Sequence, residues 1–492
     1  MELIWKELEA ERLISRNKVQ VRISEDLPSP DGRQPSVILD NTTRVKIENA
    51  SVSDGEILLS GEIEAIITSA DTDGKTFAFI SNADFSHVIK ADCALSGMSV
   101  KTDPVIQNVT ASPSPGGARL DANVDIEYLL ISAVPMRIIG GVSGVEDLEM
   151  KTDKAADHTL KTVGEETLRL REEIAAEGIS EVISTSGVIC VRNVAPENGG
   201  ATVSGLITVS AVVSDVNGHI GQLVRQIPFR ERLAVSAVCD TLYCRAELDS
   251  VYLRSLGEEF SLLAMDAQTH FTLFAPEEKQ LVIPVDAFSP TIGFGCLRDR
   301  IEVLNTLRIE TVQTVFKETI ELPEGAPDIG TPLFASSRMI ITESSVCDKE
   351  ESVKGVISAT VVYESETGII NTFTEEIPFE YESEIPEDAD DLIVNAECVA
   401  DIAGASERSI QIQFTAALDS TQIRTDTAEV LTGLAEMEQR EKLQGLVVCF
   451  ASEGESVFDI AKRYSVSCAS VRKLNPDIEE PCREGDKLIL LV

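Results

Sequence analysis

Aromatic residues are scarce in this sequence, and this scarcity limits how its cores can be built. Aromatic side chains make up 5% of the 492 residues, whereas the apolar fraction is 43%. The cores must therefore consist mainly of Val, Ile, Leu and Ala, a composition that favours β-sheet. A chain of this length can form several domains, each with a core of its own.

Positive charge is also in short supply. Only 42 Lys and Arg residues accompany 83 Asp and Glu residues, which gives a formal net charge of −41. Nucleic-acid binding requires clustered positive charge, so the composition disfavours it and we predict no nucleic-acid partner. The same field repels an anionic membrane surface, and self-association would need salt, cations or a local patch that overcomes the repulsion.

Long apolar runs and an export signal are missing from the sequence. The first eleven residues are acidic and lack the apolar region of a secretory leader. No apolar run approaches the roughly 18 residues needed to span a bilayer. We therefore expect a cytoplasmic protein without membrane insertion.

No residue pattern typical of catalysis or metal binding is present. The ten cysteines include no C-x-x-C pair, and the four histidines lack metal-ligand spacing. Buried free thiols are the favoured interpretation, although late oxidative cross-linking stays open. No nucleophile motif is recognisable, so we predict no catalytic, cofactor-binding or metal-binding residue and no enzymatic activity.

Two short motifs resemble ligand loops but are incomplete. Residues 74–76 (Gly-Lys-Thr) resemble the end of a P-loop, but Ser69 stands where the motif needs glycine. Asp71 and Asp73 resemble the start of a calcium loop, but the later ligands are missing. We interpret both as turn residues.

An internal repeat organises the chain. Three segments each contain a glycine, a second glycine 13 residues later, and a phenylalanine 11 residues after that. The copies begin 144 and then 150 residues apart, which is the period of a domain. The three sets are Gly61, Gly74 and Phe85; Gly205, Gly218 and Phe229; and Gly355, Gly368 and Phe379.

Each copy has the pattern of a β-hairpin whose turn glycine supplies a positive φ angle. Further segments at 119–130, 259–271 and 409–417 alternate apolar and polar residues, as half-buried strands do. The repeat phenylalanines are interpreted as core residues, with a shared ligand site as the alternative. We therefore predict a mainly β protein with three repeated antiparallel β-domains in tandem.

The predicted domain boundaries follow the repeat. We expect an N-terminal helical segment at 1–17 and β-domains at 18–147, 165–290 and 310–435, with connections near 148–165 and 290–310. A small C-terminal domain follows at 445–492. On the N-terminal segment, Trp5 and Leu8 could dock in a partner's groove or contact the first β-domain.

The last segment changes to a strand–helix–helix–strand pattern. Residues 446–450 read as a strand, Ser456 and Asp459 as a capping box, and the residues after Ser467 as a second short helix. Residues 485–492 supply the final strand. These features predict a small βααβ domain.

This domain resembles the LysM family through residues 452–464, 474–478 and 484–489. The resemblance implies a shallow groove that binds N-acetylglucosamine polymers or, alternatively, a protein partner. Carried onto this sequence, the groove residues are Gly454, Glu455, Ser456, Val457, Phe458, Asn475, Pro476, Asp477 and Ile478.

The whole chain resembles the SPOCS-domain (spore coat and cortex) family. The resemblance rests on the Gly/Gly/Phe frame, on Pro/Asp-containing segments at 26–31 and 321–328, and on residues 286–290. It implies a non-enzymatic scaffold in the mother-cell cytoplasm, at the forespore surface, whose LysM domain binds the ATPase of the coat's basement layer. The alternative is a protein that binds the N-acetylglucosamine-containing glycan of the spore cortex or cell wall.

Overall fold

The computed structural model describes residues 2–236, 239–256, 262–385, 388–437 and 445–492. Strands dominate this part of the chain, so the predicted mainly β fold class is confirmed. The first eight strands are β1 (Glu2–Leu8), β2 (Arg12–Pro28), β3 (Val37–Ser53), β4 (Glu56–Ala70), β5 (Thr76–Lys90), β6 (Ser99–Ser114), β7 (Gly117–Ser132) and β8 (Met136–Ser143).

The next twelve strands fall into two groups of six. The first group is β9 (Glu149–Ala175), β10 (Ile179–Glu197), β11 (Gly200–Asp215), β12 (Ile220–Ala234), β13 (Tyr243–Leu256) and β14 (Leu262–Phe288). The second group is β15 (Gly293–Glu321), β16 (Ile329–Cys347), β17 (Glu350–Ser365), β18 (Ile370–Glu384), β19 (Asp391–Ala405) and β20 (Ser409–Met437). The C-terminal module contains β21 (Leu446–Phe450), α1 (Val457–Tyr464), α2 (Cys468–Leu474) and β22 (Lys487–Leu491).

Strands β2–β7, β9–β14 and β15–β20 form three units with the same strand order, and β1 and β8 add a separate antiparallel pair to the first unit. Each unit has a meander sheet of three consecutive strands: β3-β4-β5, β10-β11-β12 or β16-β17-β18. Each also has three partner strands, of which β7, β14 or β20 is the middle one: β2-β7-β6, β9-β14-β13 or β15-β20-β19. The first and third sets join through β2 and β15 into one six-stranded sheet. A separate apolar core lies between the two sheets of each unit.

The second glycine of each repeat closes the same kind of turn. Gly74, Gly218 and Gly368 have φ angles of 77°, 85° and 78°, as the sequence predicted for the hairpin turn. In each turn this glycine donates its N–H to the carbonyl oxygen three residues earlier. Asp71 accepts two backbone hydrogen bonds of 2.9 Å within its turn, so it is a turn residue as predicted.

The first glycine of each repeat lies opposite a register shift in the neighbouring strand. Gly355 pairs with Ile341 beside such a shift and with Phe379 on the other side. A β-carbon on Gly355 would lie 2.1 Å from the carbonyl oxygen of Ile340 and 2.7 Å from the Phe379 ring. Only glycine fits this close approach.

The same constraint applies in the other two units. A β-carbon would lie 2.0 Å from the Cys190 carbonyl oxygen at Gly205 and 2.1 Å from the Lys46 carbonyl oxygen at Gly61. Phe229 and Phe379 are buried in the cores of their units, and Phe85 is partly buried. The spacing in the sequence therefore reflects a packing requirement.

The predicted N-terminal helix at 1–17 is wrong. Residues Glu2–Leu8 form β1, which pairs antiparallel with β8, and residues from Arg12 onward belong to β2. Helix-forming residues such as Glu, Leu and Lys dominate this segment, but pairing with a distant strand outweighs their weak local preference. Trp5 lies opposite Ile139 and is 46% exposed, whereas Leu8 is buried.

The predicted connections at 148–165 and 290–310 are also wrong, and with them the starts of the second and third domains. These residues lie within the long strands β9 and β15, which begin at Glu149 and Gly293. Both strands continue beyond their sheets and pair with the ends of β14 and β20. Together with the β1–β8 pair, they give each unit a two-stranded ribbon.

The three ribbons share a core. One apolar residue of each ribbon occupies a corresponding position. It lies two residues before the residue that a register shift leaves without a cross-strand partner, and the three are Ile138, Ile283 and Val430. All three are fully buried in a single cluster. The ribbons are long because they provide the apolar surface that joins the units.

A second shared cluster joins the meander sheets. The first strand of each meander sheet has a register shift near its start, which leaves one apolar residue without a cross-strand partner. These residues are Leu39, Ile183 and Leu333. Leu39 and Leu333 are buried in a common cluster, and Ile183 packs against it. Two apolar clusters thus hold the units together at different places.

Polar contacts connect every pair of units. Arg44 of the first unit donates to the carbonyl oxygens of Gly187 (2.7 Å) and Leu248 (2.9 Å) in the second. Arg245 of the second unit forms an ion pair of 2.7 Å with Asp419 of the third. Arg16 and Asp391 connect the first and third units through another ion pair. These contacts fix the relative position of the three units.

Candidate functional site

The C-terminal module begins each helix with a side-chain cap. Ser456 accepts the backbone N–H of Asp459 (3.3 Å), and Asp459 accepts the backbone N–H of Ser456 (3.1 Å). This reciprocal pair is the predicted capping box before α1. Ser467 caps α2 by accepting the backbone N–H of Ser470 (3.1 Å).

The first group of predicted groove residues lies in the loop before α1. The Gly454 N–H donates to the carbonyl oxygen of Cys482 at 2.9 Å. The Cys482 N–H donates to the carbonyl oxygen of Glu455, also at 2.9 Å. Gly454 is exposed, while Glu455 and Ser456 are half-buried. The loop is therefore bonded to the segment that follows the second loop of the predicted groove.

The second group follows α2, and its polar side chain is already engaged. The Asn475 side chain donates to the carbonyl oxygen of Ile489 (2.8 Å) and accepts the Ile489 N–H (2.7 Å). Ile478 is half-buried against the module's core, whereas Pro476 and Asp477 are exposed. Gly454, Pro476 and Asp477 are thus the predicted groove residues with the most accessible positions.

Two predicted groove residues have to be corrected. Val457 is fully buried in the module's core, and Phe458 is 8% exposed. The Phe458 ring packs edge-on against Phe288 of β14, with 4.9 Å between ring centroids. Both residues are the first apolar positions of α1, and that face of the helix points toward the core and the neighbouring unit. Their side chains therefore do not line an open groove.

The module is docked on the ribbon of the second unit. Lys462 bonds both carboxylate oxygens of Asp286 (2.6 and 2.7 Å), and Lys151 bonds those of Asp459 (3.0 Å each). Glu149 accepts the first backbone N–H of α2, from Cys468. The segment at 286–290, where the predicted second domain ends, is therefore part of a docking surface.

Electrostatics reinforce this contact. Burial alone would raise the pKa of Asp286, but hydrogen bonds from Lys462 and Cys296 and the charge of Lys462 outweigh it and lower the pKa. Arg298 contributes a further ion pair of 2.8 Å to the same carboxylate. Asp286 is thus held ionised between two cations at the junction of the module with the ribbons.

The outward face of the module's sheet is apolar. Leu446, Val448 and Phe450 of β21 are 68%, 46% and 63% exposed. On β22, Ile489 and Leu491 are 37% and 61% exposed. This surface was not predicted from the sequence, although one signal was available. Residues 446–450 and 488–491 are continuously apolar, whereas the helices can cover only one face of a two-stranded sheet.

A cavity of about 100 Å³ between the first and third units collects acidic side chains. Its lining includes Asp103, Asp125 and Glu127 of the first unit and Glu343 of the third. Burial, followed by the charge of Glu127, raises the pKa of Asp103 to about 6. Asp125 is paired with Lys18 at 2.7 Å. This arrangement favours a proton on Asp103 near pH 6.

Several of the cysteines are buried free thiols, among them Cys190, Cys244 and Cys449. Burial raises the pKa of Cys190 to about 11 and that of Cys244 to about 12. Such thiols stay protonated at neutral pH and are poor nucleophiles. Cys93 and Cys347 are exposed. Within the described ranges, no three His, Cys, Asp or Glu side chains are grouped so that they could hold a metal ion.

The fold and its surfaces define a mainly β protein of three interlocked units that carries a small docked module. No helix in the described part of the chain is long and apolar enough to cross a bilayer.

Two segments of the chain, 36–114 and 328–405, match the family model described as SipL, SPOCS domain. They correspond to β3–β6 of the first unit and β16–β19 of the third. The matches support a relation to the SPOCS/SipL family. No curated protein and no solved structure matches the chain.

Proposed function

We propose that this protein is a non-enzymatic scaffold of spore-coat assembly, built from three SPOCS-type units and a C-terminal LysM-type module. The observation that carries the proposal is the pair of SPOCS-domain matches. They fall on corresponding strands of the first and third units, and the second unit has the same strand order between them.

The packing of the units supports a structural role. Two shared apolar clusters and the ion pairs between units make the three units one rigid body. Rigid bodies present binding surfaces at fixed distances, which suits a protein that organises an assembly. The strongly acidic surface keeps copies apart in solution until a specific partner binds.

The proposed partner is the ATPase of the coat's basement layer, and the LysM-type module is its binding element. The module has a formal charge of −2, from six basic and eight acidic residues among 445–492. It is therefore the least repulsive part of the chain for an acidic partner. We place the complex in the mother-cell cytoplasm at the forespore surface.

A second candidate is binding to N-acetylglucosamine-containing glycan of the cortex or cell wall. It is favoured by the exposed positions of Gly454, Pro476 and Asp477 in the two loops of the LysM-type groove. Shallow glycan sites of this kind use backbone groups and small or exposed side chains, so the burial of Val457 and Phe458 does not remove it.

The two candidates are separated by a binding assay with the full-length chain. Purified protein is incubated with the purified basement-layer ATPase and, separately, with purified peptidoglycan. The scaffold proposal expects retention by the ATPase and not by peptidoglycan. Retention by peptidoglycan alone, weakened by Asp477→Ala, would replace the scaffold proposal with the glycan one.

A localisation experiment tests the cellular part of the proposal. A fluorescent fusion of the full-length chain, expressed during sporulation, should form a shell around the forespore. The shell should be lost in cells that lack the ATPase. Diffuse fluorescence throughout sporulation would contradict a role in the coat.

A further inference from the structure

The outward face of the β21–β22 sheet is a continuous apolar surface. Leu446 lies opposite Leu491, and Val448 opposite Ile489, so these side chains form two cross-strand pairs on the same face. The opposite face, with Cys449, Leu488 and Leu490, is buried in the module's core. Contiguous exposed apolar surfaces of this kind mark interaction sites.

One edge of this sheet is also free. Strand β21 pairs only with β22 among the strands that the structure describes. The backbone N–H and C=O of Ile489 are bonded to the Asn475 side chain, away from β21. In an antiparallel pair, when one residue directs its N–H and C=O away from the neighbouring strand, the residue directly opposite it does the same, and Val448 lies opposite Ile489. The N–H and C=O of Val448 therefore point to the free edge.

The charge on this face selects the kind of partner. Lys487 lies directly opposite Phe450, and its ammonium forms no ion pair with any residue in the described ranges. A strand added along β21 would lie about 10 Å from Lys487, on the far side of Phe450, and a glutamate side chain on it can meet the lysine side chain across that distance. A second copy of this chain would bring its own Lys487 and a net charge of −41, so self-association is disfavoured.

We infer that the module takes up an extended segment of another protein as an additional strand along β21. The segment's alternate side chains are apolar and cover the face formed by Phe450 and its neighbours, and an acidic side chain on it pairs with Lys487. Main-chain hydrogen bonds to a free edge, combined with side-chain contacts at every second position, are the known mode of β-strand addition. The inference rests on the proposed binding of a protein by this module, and it places the contact on the sheet instead of in the loops.

The experiment uses the purified full-length chain and a random twelve-residue peptide library displayed on phage. Selected peptides should alternate apolar residues with period two and contain Asp or Glu. A synthetic consensus peptide is then titrated by fluorescence anisotropy. Phe450→Ser and Val448→Pro should each weaken binding about tenfold, because one removes an anchor side chain and the other a main-chain donor. Lys487→Glu should weaken it about threefold or more.

The matched control is Leu491→Pro. Leu491 lies on the other edge of the same sheet, and opposite Leu446 its N–H also points away from β21. This variant should leave peptide binding within about twofold, since no partner is added on that edge. An equal loss in Leu491→Pro and Val448→Pro would overturn strand addition at β21. Phe450→Ser keeps the test valid if the proline variants unfold the module, because Phe450 is 63% exposed.

Two other outcomes would also overturn the inference. One is a library selection that yields no period-two apolar pattern. The other is a concentration-dependent dimer in sedimentation velocity that Phe450→Ser abolishes, which would make a second copy the occupant. The protein could also bind the peptide, with the variants changing affinity as expected, and yet fail to localise to the forespore. That result would refute the coat function and leave this inference intact.

Discussion

Lys462 of α1 donates hydrogen bonds to both carboxylate oxygens of Asp286, which lies near the end of β14. The carboxylate is mostly buried and also meets Arg298. The C-terminal module is therefore attached to the body of the protein through a specific ion pair as well as through the Phe288–Phe458 ring contact.

A double-mutant cycle at this ion pair should reveal the coupling. We expect Asp286→Asn and Lys462→Met to show a coupling energy of about 1–3 kcal/mol, because a partly buried pair is little screened. Hydrogen exchange of the α1 amides measures the loosening of the module. The control Lys473→Met changes an exposed lysine outside this contact. A coupling energy near zero would mean that the ring contact alone holds the module.

The same contact should depend on pH in one direction. The pKa of Asp286 is lowered in the folded protein, so its contribution to stability is present above the ordinary pKa of an aspartate. That contribution is lost as the pH falls through the lowered value. The α1 amides should therefore gain exchange protection from acidic to neutral pH in the wild type and show less gain in Asp286→Asn.

Gly355→Ala should strongly destabilise the third unit. The added methyl group would collide with the Ile340 carbonyl oxygen and the Phe379 ring, so the cost should be about 2–4 kcal/mol. Chemical denaturation followed by circular dichroism measures it. Gly221→Ala is the matched control, because Gly221 also lies in a meander sheet and has open space around its β-carbon position. Equal stabilities of the two variants would contradict the packing role of the repeat glycine.

Ile283→Ala should weaken all three units together. Ile283 is fully buried in the cluster formed by the three ribbons, and such truncations cost about 2–5 kcal/mol. Differential scanning calorimetry should show one transition shifted to lower temperature, since the units share this core. Val282→Ala, at a position that is 41% exposed, is the control. A separate early transition confined to the second unit would show that the ribbons are not energetically coupled.

Asp103→Asn should stabilise the protein at neutral pH. The folded-state pKa of Asp103 is raised from 3.8 to about 6, so the folded state holds its proton more tightly than the unfolded state does. Stability contributed by this group therefore falls as the pH rises from about 4 to about 6. At pH 7 the variant should gain about 1–3 kcal/mol.

The gain of Asp103→Asn should vanish below about pH 4, where the wild-type carboxyl is protonated in both states. Thermal unfolding at several pH values measures the difference. Asp92→Asn, at an exposed aspartate, serves as the control. A constant difference at all pH values would show that the substitution acts through packing and not through charge.

The repeat frame was predictable because it reflects local geometry. The turn at Gly74 needs a positive φ angle, and Gly355 needs space against a shifted neighbouring strand. Both requirements act within one meander sheet, so they leave a fixed spacing in the sequence. The capping box at Ser456 and Asp459 is local in the same sense.

The ribbons and the first strand were not predictable in this way. Glu149–Ala175 carries many charged residues, and its hydrogen-bonded partners on β14 lie 87 to 139 residues away in the sequence (262−175 and 288−149). The Glu2–Leu8 segment pairs with β8, which is also distant. Sequence periodicity reports burial along one strand, and it carries little information on which distant strand supplies the partner.

The candidate site was predicted only in part, for a related reason. A motif identifies which residues surround a groove in other proteins, but Val457 and Phe458 are covered here by the module's own core and by Phe288. The apolar face at Phe450 was hidden within two apolar runs that also supply the core. Only the placement of the helices decides which side of those runs stays exposed.

The cluster at Ile138, Ile283 and Val430 has a consequence for any attempt to isolate one unit. A unit expressed alone would expose to water its share of this apolar cluster and its residue in the cluster that joins the meander sheets. Association with two further copies of the same unit would bury both surfaces again. An excised repeat should therefore trimerise or precipitate, and the tandem chain can be regarded as such a trimer with its subunits joined end to end.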